Sequence, residues 1–234
     1  MSDPASQKSN TKFWLSSGVK LAATIVFVWF LCNIGIRADY WQGWAMLVFM
    51  AVFMVFVLIL FRKKPGVLKE RMDPGPGVKG WDRIFWFIYI LLSLVFFIFA
   101  MLDGGHYQWS PQMPLAVYVA AYAVLIGSSA LFVWAMYVNP FFSTRVRIQS
   151  ERGHHVITEG PYRFVRHPGY LSAFFMFVSF ALALGSVWSL VIVAPILVSV
   201  VIRTHLEDKT LHGELPGYAD YAKKVKYRLF PGVW

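Results

Sequence analysis

Residues 170–202 read YLSAFFMFVSFALALGSVWSLVIVAPILVSVVI, and how this stretch divides decides the fold. It is apolar throughout and too long for one ordinary crossing of a bilayer, which takes about 20 residues. Gly185-Ser186 and Pro195 interrupt it, so a helical hairpin that enters the membrane and returns is the economical division. A hairpin leaves Tyr170 and the residues after Ile202 on one side of the membrane. The polar residues lie in those two flanks. Before the hairpin runs Thr158 to Leu171, with a glycine-proline turn at Gly160-Pro161, then Tyr162, Arg163, Arg166, His167, Pro168 and Tyr170. After it come Arg203, Glu207 and Asp208. Polar groups at a membrane boundary are costly unless they pair with one another or bind something.

Outward from the hairpin, the chain is a series of apolar runs. Leu21 to Ile36, extended back to Gly18, predicts a first helix, Gly43 to Phe61 a second, Ile84 to Leu102 a third and Pro114 to Val138 a fourth. Aromatic residues such as Tyr40 and Trp41 stand where interfacial belts place them. The stretch after Arg62-Lys63-Lys64-Pro65, through Asp73-Pro74-Gly75-Pro76-Gly77, is dense in proline and glycine and reads as a loop. Asp103-Gly104-Gly105 opens another, free of Lys and Arg. The expected fold is an all-α integral membrane protein of four transmembrane helices plus a C-terminal helical hairpin. Residues 1–138 form the helical N-terminal part and 139–234 a C-terminal region whose loop and tail close a pocket.

Composition points the same way. Of 234 residues, 58% are hydrophobic, 18% aromatic and only 15% charged, against about a quarter charged in a soluble domain. The net charge of +10 comes from Lys and Arg that flank apolar runs. Anionic lipid headgroups therefore account for it better than nucleic acid. Basic residues crowd the second-to-third connection, the fourth-to-hairpin connection and the tail, whereas the opposite connections hold only Arg37. The positive-inside rule puts both termini and the polar cluster on the cytoplasmic side. Cys32 is the single cysteine, which excludes intrachain disulfides and makes it a buried, inert thiol. The apolar run after the short polar N-terminus lacks a small-x-small cleavage site and reads as a retained helix.

Each polar constellation has a plain structural explanation beside a chemical one. A basic loop pinned to headgroups accounts for Arg163 and Arg166. It does not account for Gly160-Pro161-Tyr162 and His167-Pro168-Gly169-Tyr170 packed together where the membrane begins. Arg203 and Glu207, four residues apart, share a helix face and would suffice as an interfacial ion pair. The adjacent His154 and His155 would point apart as ligands, His205 and His212 lack i, i+4 spacing, and no HExxH is present, so no metal site is expected.

His154-His155-Val156-Ile157-Thr158-Glu159-Gly160-Pro161-Tyr162, followed by Arg166-His167-Pro168-Gly169-Tyr170, resembles the isoprenylcysteine carboxyl methyltransferase family, whose superfamily includes membrane phospholipid N-methyltransferases. The likeness continues through Asn139-Pro140-Phe141-Phe142-Ser143, Arg203-x-x-x-Glu207-Asp208-x-x-Leu211, Tyr218-x-x-Tyr221 and Arg228-Leu229-Phe230-Pro231. It implies an integral membrane methyltransferase that uses S-adenosylmethionine and releases S-adenosylhomocysteine, with the donor in a cytoplasmic pocket closed by loop and tail. Carried over by position, His154 and the Val156-Ile157-Thr158 backbone hold the adenosine end. Tyr162, His167 and Tyr170 hold the amino-acid end, Glu207 or Asp208 binds polar groups of the donor, and Arg203 faces the acceptor. Gly160, Arg166, Pro168, Tyr218 and Arg228 complete the donor-binding set. Relatives often carry two glutamates where this chain has Glu207-Asp208; aspartate keeps the charge and loses reach.

Elementary chemistry agrees with that implication. A zwitterionic sulfonium donor needs a carboxylate partner, donors for its own carboxylate and aromatic faces for its cation. No G-x-G-x-x-G follows a strand, which excludes a Rossmann methyltransferase. Methyl transfer needs alignment and desolvation of the nucleophile. An amine or thiol acceptor would also need a proton acceptor, for which Glu207 is the candidate. A site open between helices would admit a lipid-like acceptor from the bilayer, and a small acceptor is equally compatible. Two rivals remain at this stage. Sterol reductases resemble the same C-terminal arrangement and use NADPH, but their motif continues into a glycine and an acidic residue where this chain has Leu171-Ser172-Ala173. A membrane scaffold without activity is the other.

Overall fold

The computed structural model describes residues 39–72 and 75–234. Within them lie seven α-helices and no strand. They are α1 (Trp41–Phe61), α2 (Pro65–Met72), α3 (Gly80–Met101), α4 (Leu115–Val138), α5 (Pro168–Ala183), α6 (Leu190–Glu214) and α7 (Tyr218–Lys224). Four are long and apolar enough to cross a membrane: α1, α3 with its extension to Tyr107, α4 and α6. Three of these are the expected second, third and fourth helices, and the fourth is the returning arm of the hairpin. The protein is an all-α integral membrane protein. The expected first helix, Cys32 and Arg37 fall outside the described residues.

The helices are apolar nearly all round because lipid is their outer solvent. α1 buries only Gly43, Met46 and Phe61, and turns Val48, Val52, Val55 and Ile59 outward. Lipid gives no hydrophobic drive for helices to associate, so small residues must let them pack closely. Ala121, Ser128, Ser129 and Ala135 on α4 and Ser172, Ser179, Ala181 and Ala183 on α5 are buried. Met46, Phe96, Leu125, Phe177, Leu184 and Ile196 fill the core between α1, α3, α4 and the hairpin.

The hairpin forms as expected, with one correction. Its break falls at Leu184–Ser189, where Gly185 adopts φ +74°. Pro195 does not interrupt it and sits inside α6. A proline there removes only the bond to the Val191 carbonyl, and a single turn precedes it to meet its ring. Two other connections also depart from expectation. Pro65 starts α2 inside the supposed loop, as a proline at the first helical position can. Asp103-Gly104-Gly105 does not leave the helix but continues it as a π turn, Leu102–Tyr107.

That turn is part of a polar knot joining one end of the bundle. The Asp103 carboxylate accepts from the Ser110 amide (2.7 Å) and from the Ser110 and Ser186 hydroxyls. Tyr40 donates to the Leu184 carbonyl. Gly104 lies so near that carbonyl that a Cβ would stand 2.2 Å from its oxygen. At the other end, Arg147 forks onto Glu70 of α2 (2.9 Å for both bonds), and Lys79 pairs with Glu214 (2.7 Å). The basic connections thus gather at one end, and the hairpin turn lies at the other.

Candidate active site

The residues that precede and follow the hairpin are joined directly. The Arg166 and His167 amides donate to the carbonyls of Tyr227 (2.9 Å) and Arg228 (3.0 Å). Beneath that seam lies Asp208, 1% exposed. Its Oδ1 accepts from Arg166 Nε (2.8 Å) and the Tyr218 hydroxyl (2.9 Å) and faces His167 Nε2 (3.2 Å). Its Oδ2 accepts from Arg228 Nε (2.9 Å) and Arg166 Nη2 (3.1 Å). The remaining Arg166 donors reach the Val225 and Lys226 carbonyls. One carboxylate therefore fastens loop, helix and tail together. Charge-assisted bonds of this kind are about twice as strong as neutral ones.

The seam closes one wall of a cavity of about 350 Å³. His154, Val156, Ile157, Tyr162, Arg166, His167, Pro168, Tyr170, Arg203, Glu207 and Tyr218 all line it. Thr158, Gly160, Asp208 and Arg228 do not. Gly160 holds φ +57° against α4, where a Cβ would meet Trp134 and Val138 at 3.0 Å. Asp208 and Arg228 hold the wall from behind. Pro168 opens α5 at its first position, which swings His167 and Tyr170 onto the cavity. The deeper wall is apolar, built from Met176, Phe177, Phe180 and Val200.

Glu207 accepts from the Tyr170 hydroxyl, and His167 Nδ1 lies 3.9 Å from its other oxygen. Arg203, 3% exposed, donates from Nη2 to the Thr144 carbonyl (2.6 Å) and lies 3.0 Å from Asp82 Oδ1. Its guanidinium faces the rings of Phe85 (4.5 Å), Trp86 (5.1 Å) and Tyr170 (5.5 Å). Its Nε is buried with no acceptor, and an orphaned buried donor calls for explanation. Burial pushes the Tyr162 phenol up, and burial with the neighbouring Asp208 does the same for Tyr218, so both act as neutral donors. Among the described residues no three His, Cys, Asp or Glu side chains group as a metal site would require.

Residues 119–213 match the model of the isoprenylcysteine carboxyl methyltransferase (ICMT) family. Over that segment the chain belongs to this family. The match begins within α4, takes in the loop and the hairpin, and stops short of Tyr218, Arg228 and everything before Val119. A comparison with curated proteins gives no match. The family segment supports a membrane methyltransferase in general.

The sequence singled out neither Asp82 nor the aromatic wall of α3, although both serve this family segment. Asp82 is fully buried, accepts from the Val146 amide (3.2 Å) and pairs with Arg203. A lone acid in the first turn of an apolar helix was the available signal, and the helix dipole explains it equally well. Asn139, quoted only for its resemblance, donates to the Tyr162 hydroxyl (3.1 Å).

His154 carries a prediction. Its ring lies against Phe141 (4.5 Å), and its Nδ1 accepts from the Gln149 amide (3.2 Å), so it stands as the Nε2–H tautomer. Burial, then the positive neighbours His155, Arg147 and Arg152, lower its pKa from 6.5 to about 4. Between those values the unfolded chain binds a proton that the folded chain refuses, so folding stability rises with pH there. The contribution is complete above about 6.5 and is lost as pH falls toward 4. Thermal unfolding in detergent across this window is expected to be steeper in pH for the wild type than for His154→Phe. Equal slopes would contradict a neutral, buried His154.

Proposed function

We propose that the cavity binds S-adenosylmethionine and that the protein transfers its methyl group to a lipophilic or small acceptor at the cytoplasmic membrane interface. One observation carries this reading: loop, α6 and tail line a single cavity that is polar at the interface and apolar toward the membrane interior. The donor set suits the cofactor. His154, neutral and stacked on Phe141, stands with Val156 and Ile157 where an adenine would lie. Tyr162, His167 and Tyr170 offer donors and aromatic faces for the amino-acid end and the sulfonium. Glu207 offers the carboxylate that an ammonium requires.

The sulfonium donor, when bound, supplies an activated methyl group for in-line displacement. The protein's own share is alignment and exclusion of water. The Asp208 clasp keeps the loop and tail shut over the polar end. Arg203, with its unfilled Nε, faces the space left for the acceptor. For an amine or thiol acceptor, Glu207 takes the proton, with the Tyr170 hydroxyl holding its carboxylate in place. The opening past Met176, Phe177 and Phe180 gives a lipid tail somewhere to lie. The basic residues gathered at this end support its cytoplasmic placement through the positive-inside rule.

Thermal unfolding of the purified protein with S-adenosylhomocysteine or NADPH tests this directly. A specific ligand at about 100 times its dissociation constant stabilises by roughly 2.7 kcal/mol, and S-adenosylhomocysteine alone is expected to do so. Stabilisation by NADPH instead would make the protein a reductase, and stabilisation by neither would leave a scaffold.

A further inference from the structure

We propose that Arg71 and Arg203 form an anion subsite in the cavity, one that takes a carboxylate or phosphate group. Arg71 stands on α2, outside the family-matched segment. The proposal rests on the reading of the cavity as a donor and acceptor site and adds the chemistry of one of the groups bound there.

Five guanidinium groups line the cavity: Arg71, Arg145, Arg147, Arg166 and Arg203. Three are accounted for within the protein. Arg147 is held by Glu70 (2.9 Å) and Glu151 (2.7 Å), Arg166 by Asp208 (2.8 Å), and Arg145 lies over Trp86 (5.3 Å) beside Asp82 (4.0 Å). Arg203 shares that same Asp82 and keeps a buried Nε with no acceptor. Arg71 rests on the rings of Phe132 (5.1 Å) and Phe142 (5.3 Å), and among the described residues no oxygen accepts from its guanidinium. Its neighbour Glu70 is already spent on Arg147. The cavity carboxylate Glu207 is engaged by Tyr170.

Two cations thus approach one partly dry space with a single shared aspartate between them. Burial and the Arg203 charge pull the Arg71 pKa down to about 10, which leaves it charged at neutral pH. Uncompensated charge in such a place is costly, and a bound anion relieves it. A planar fork resting on aromatic faces presents its N–H edge to a carboxylate or phosphate. That anion comes either from the α-carboxylate of the methyl donor or from an acidic group on the acceptor.

Calorimetry in detergent with wild type, Arg71→Met and Arg71→Lys separates these sources. The probes are S-adenosylhomocysteine, its decarboxylated analogue, octyl phosphate and octanol. If the donor supplies the anion, Arg71→Met weakens S-adenosylhomocysteine about tenfold or more, the size of one charge-assisted bond, and leaves the decarboxylated analogue unchanged. If the acceptor supplies it, S-adenosylhomocysteine is unaffected. Octyl phosphate then binds the wild type better than octanol and loses that advantage in Arg71→Met. Arg71→Lys recovers part of the loss in either case. Should Arg71→Met fail to fold, Arg71→Gln takes its place. Unchanged affinity for both anionic probes in a folded variant overturns the subsite. A wild type that ignores S-adenosylhomocysteine contradicts the methyl-donor reading, and octyl phosphate then decides Arg71 by itself.

Discussion

Asp208→Ala is expected to cost about 3–5 kcal/mol of stability, the usual penalty for removing one partner from a buried ion cluster. Arg166 and Arg228 would be left facing each other with no anion between them. Tyr218 and His167 would lose their shared acceptor. The tail should then come away from the loop, because the backbone bonds at Arg166 and His167 are the main remaining link along that seam. Thermal unfolding in detergent reports the first effect, and limited proteolysis after Leu215 the second. Asp208→Asn keeps the shape and should lie between alanine and wild type. An alanine variant as stable as the wild type, with an equally protected tail, would mean that Asp208 is not what fastens the two pieces.

Arg203→Ala is expected to reduce turnover by about 10²–10³, the range found when one preorganised charge-stabilising donor is removed from an active site. Affinity for S-adenosylhomocysteine should hardly change. The variant also strips Asp82 of its nearest cation, so part of any loss would be structural. Arg203→Ala combined with Asp82→Asn removes that burden. If the double variant regains stability without regaining turnover, Arg203 acts on the acceptor. Equal loss of turnover and donor affinity would mean that Arg203 holds the donor instead.

The hairpin was legible because Gly185 both breaks the apolar run and needs the positive φ that glycine tolerates. Pro195 carried no such information, since a proline early in a helix can be absorbed. The cavity wall from His154 to Tyr170 was legible as a cluster of residues whose polarity has no purpose in lipid. The division of labour between Glu207 and Asp208 was not. Consecutive helical residues point about a quarter-turn apart, and which one meets the cavity depends on partners 41 or more residues earlier in the chain and on the tail. α2 was hidden for a similar reason. The proline and glycine of 73–77 dominate its surroundings, while Glu70 and Arg71 find their neighbours on segments more than 60 residues away.

Photolabelling with an 8-azido derivative of S-adenosylmethionine, followed by mapping of the modified peptides, tests the enclosed donor pocket most directly. Label is expected on two separate peptides, one spanning His154 to Ile157 and one containing Tyr218 or Tyr221, with excess S-adenosylhomocysteine suppressing both. Label confined to other helices, or present on both peptides but indifferent to S-adenosylhomocysteine, would contradict it.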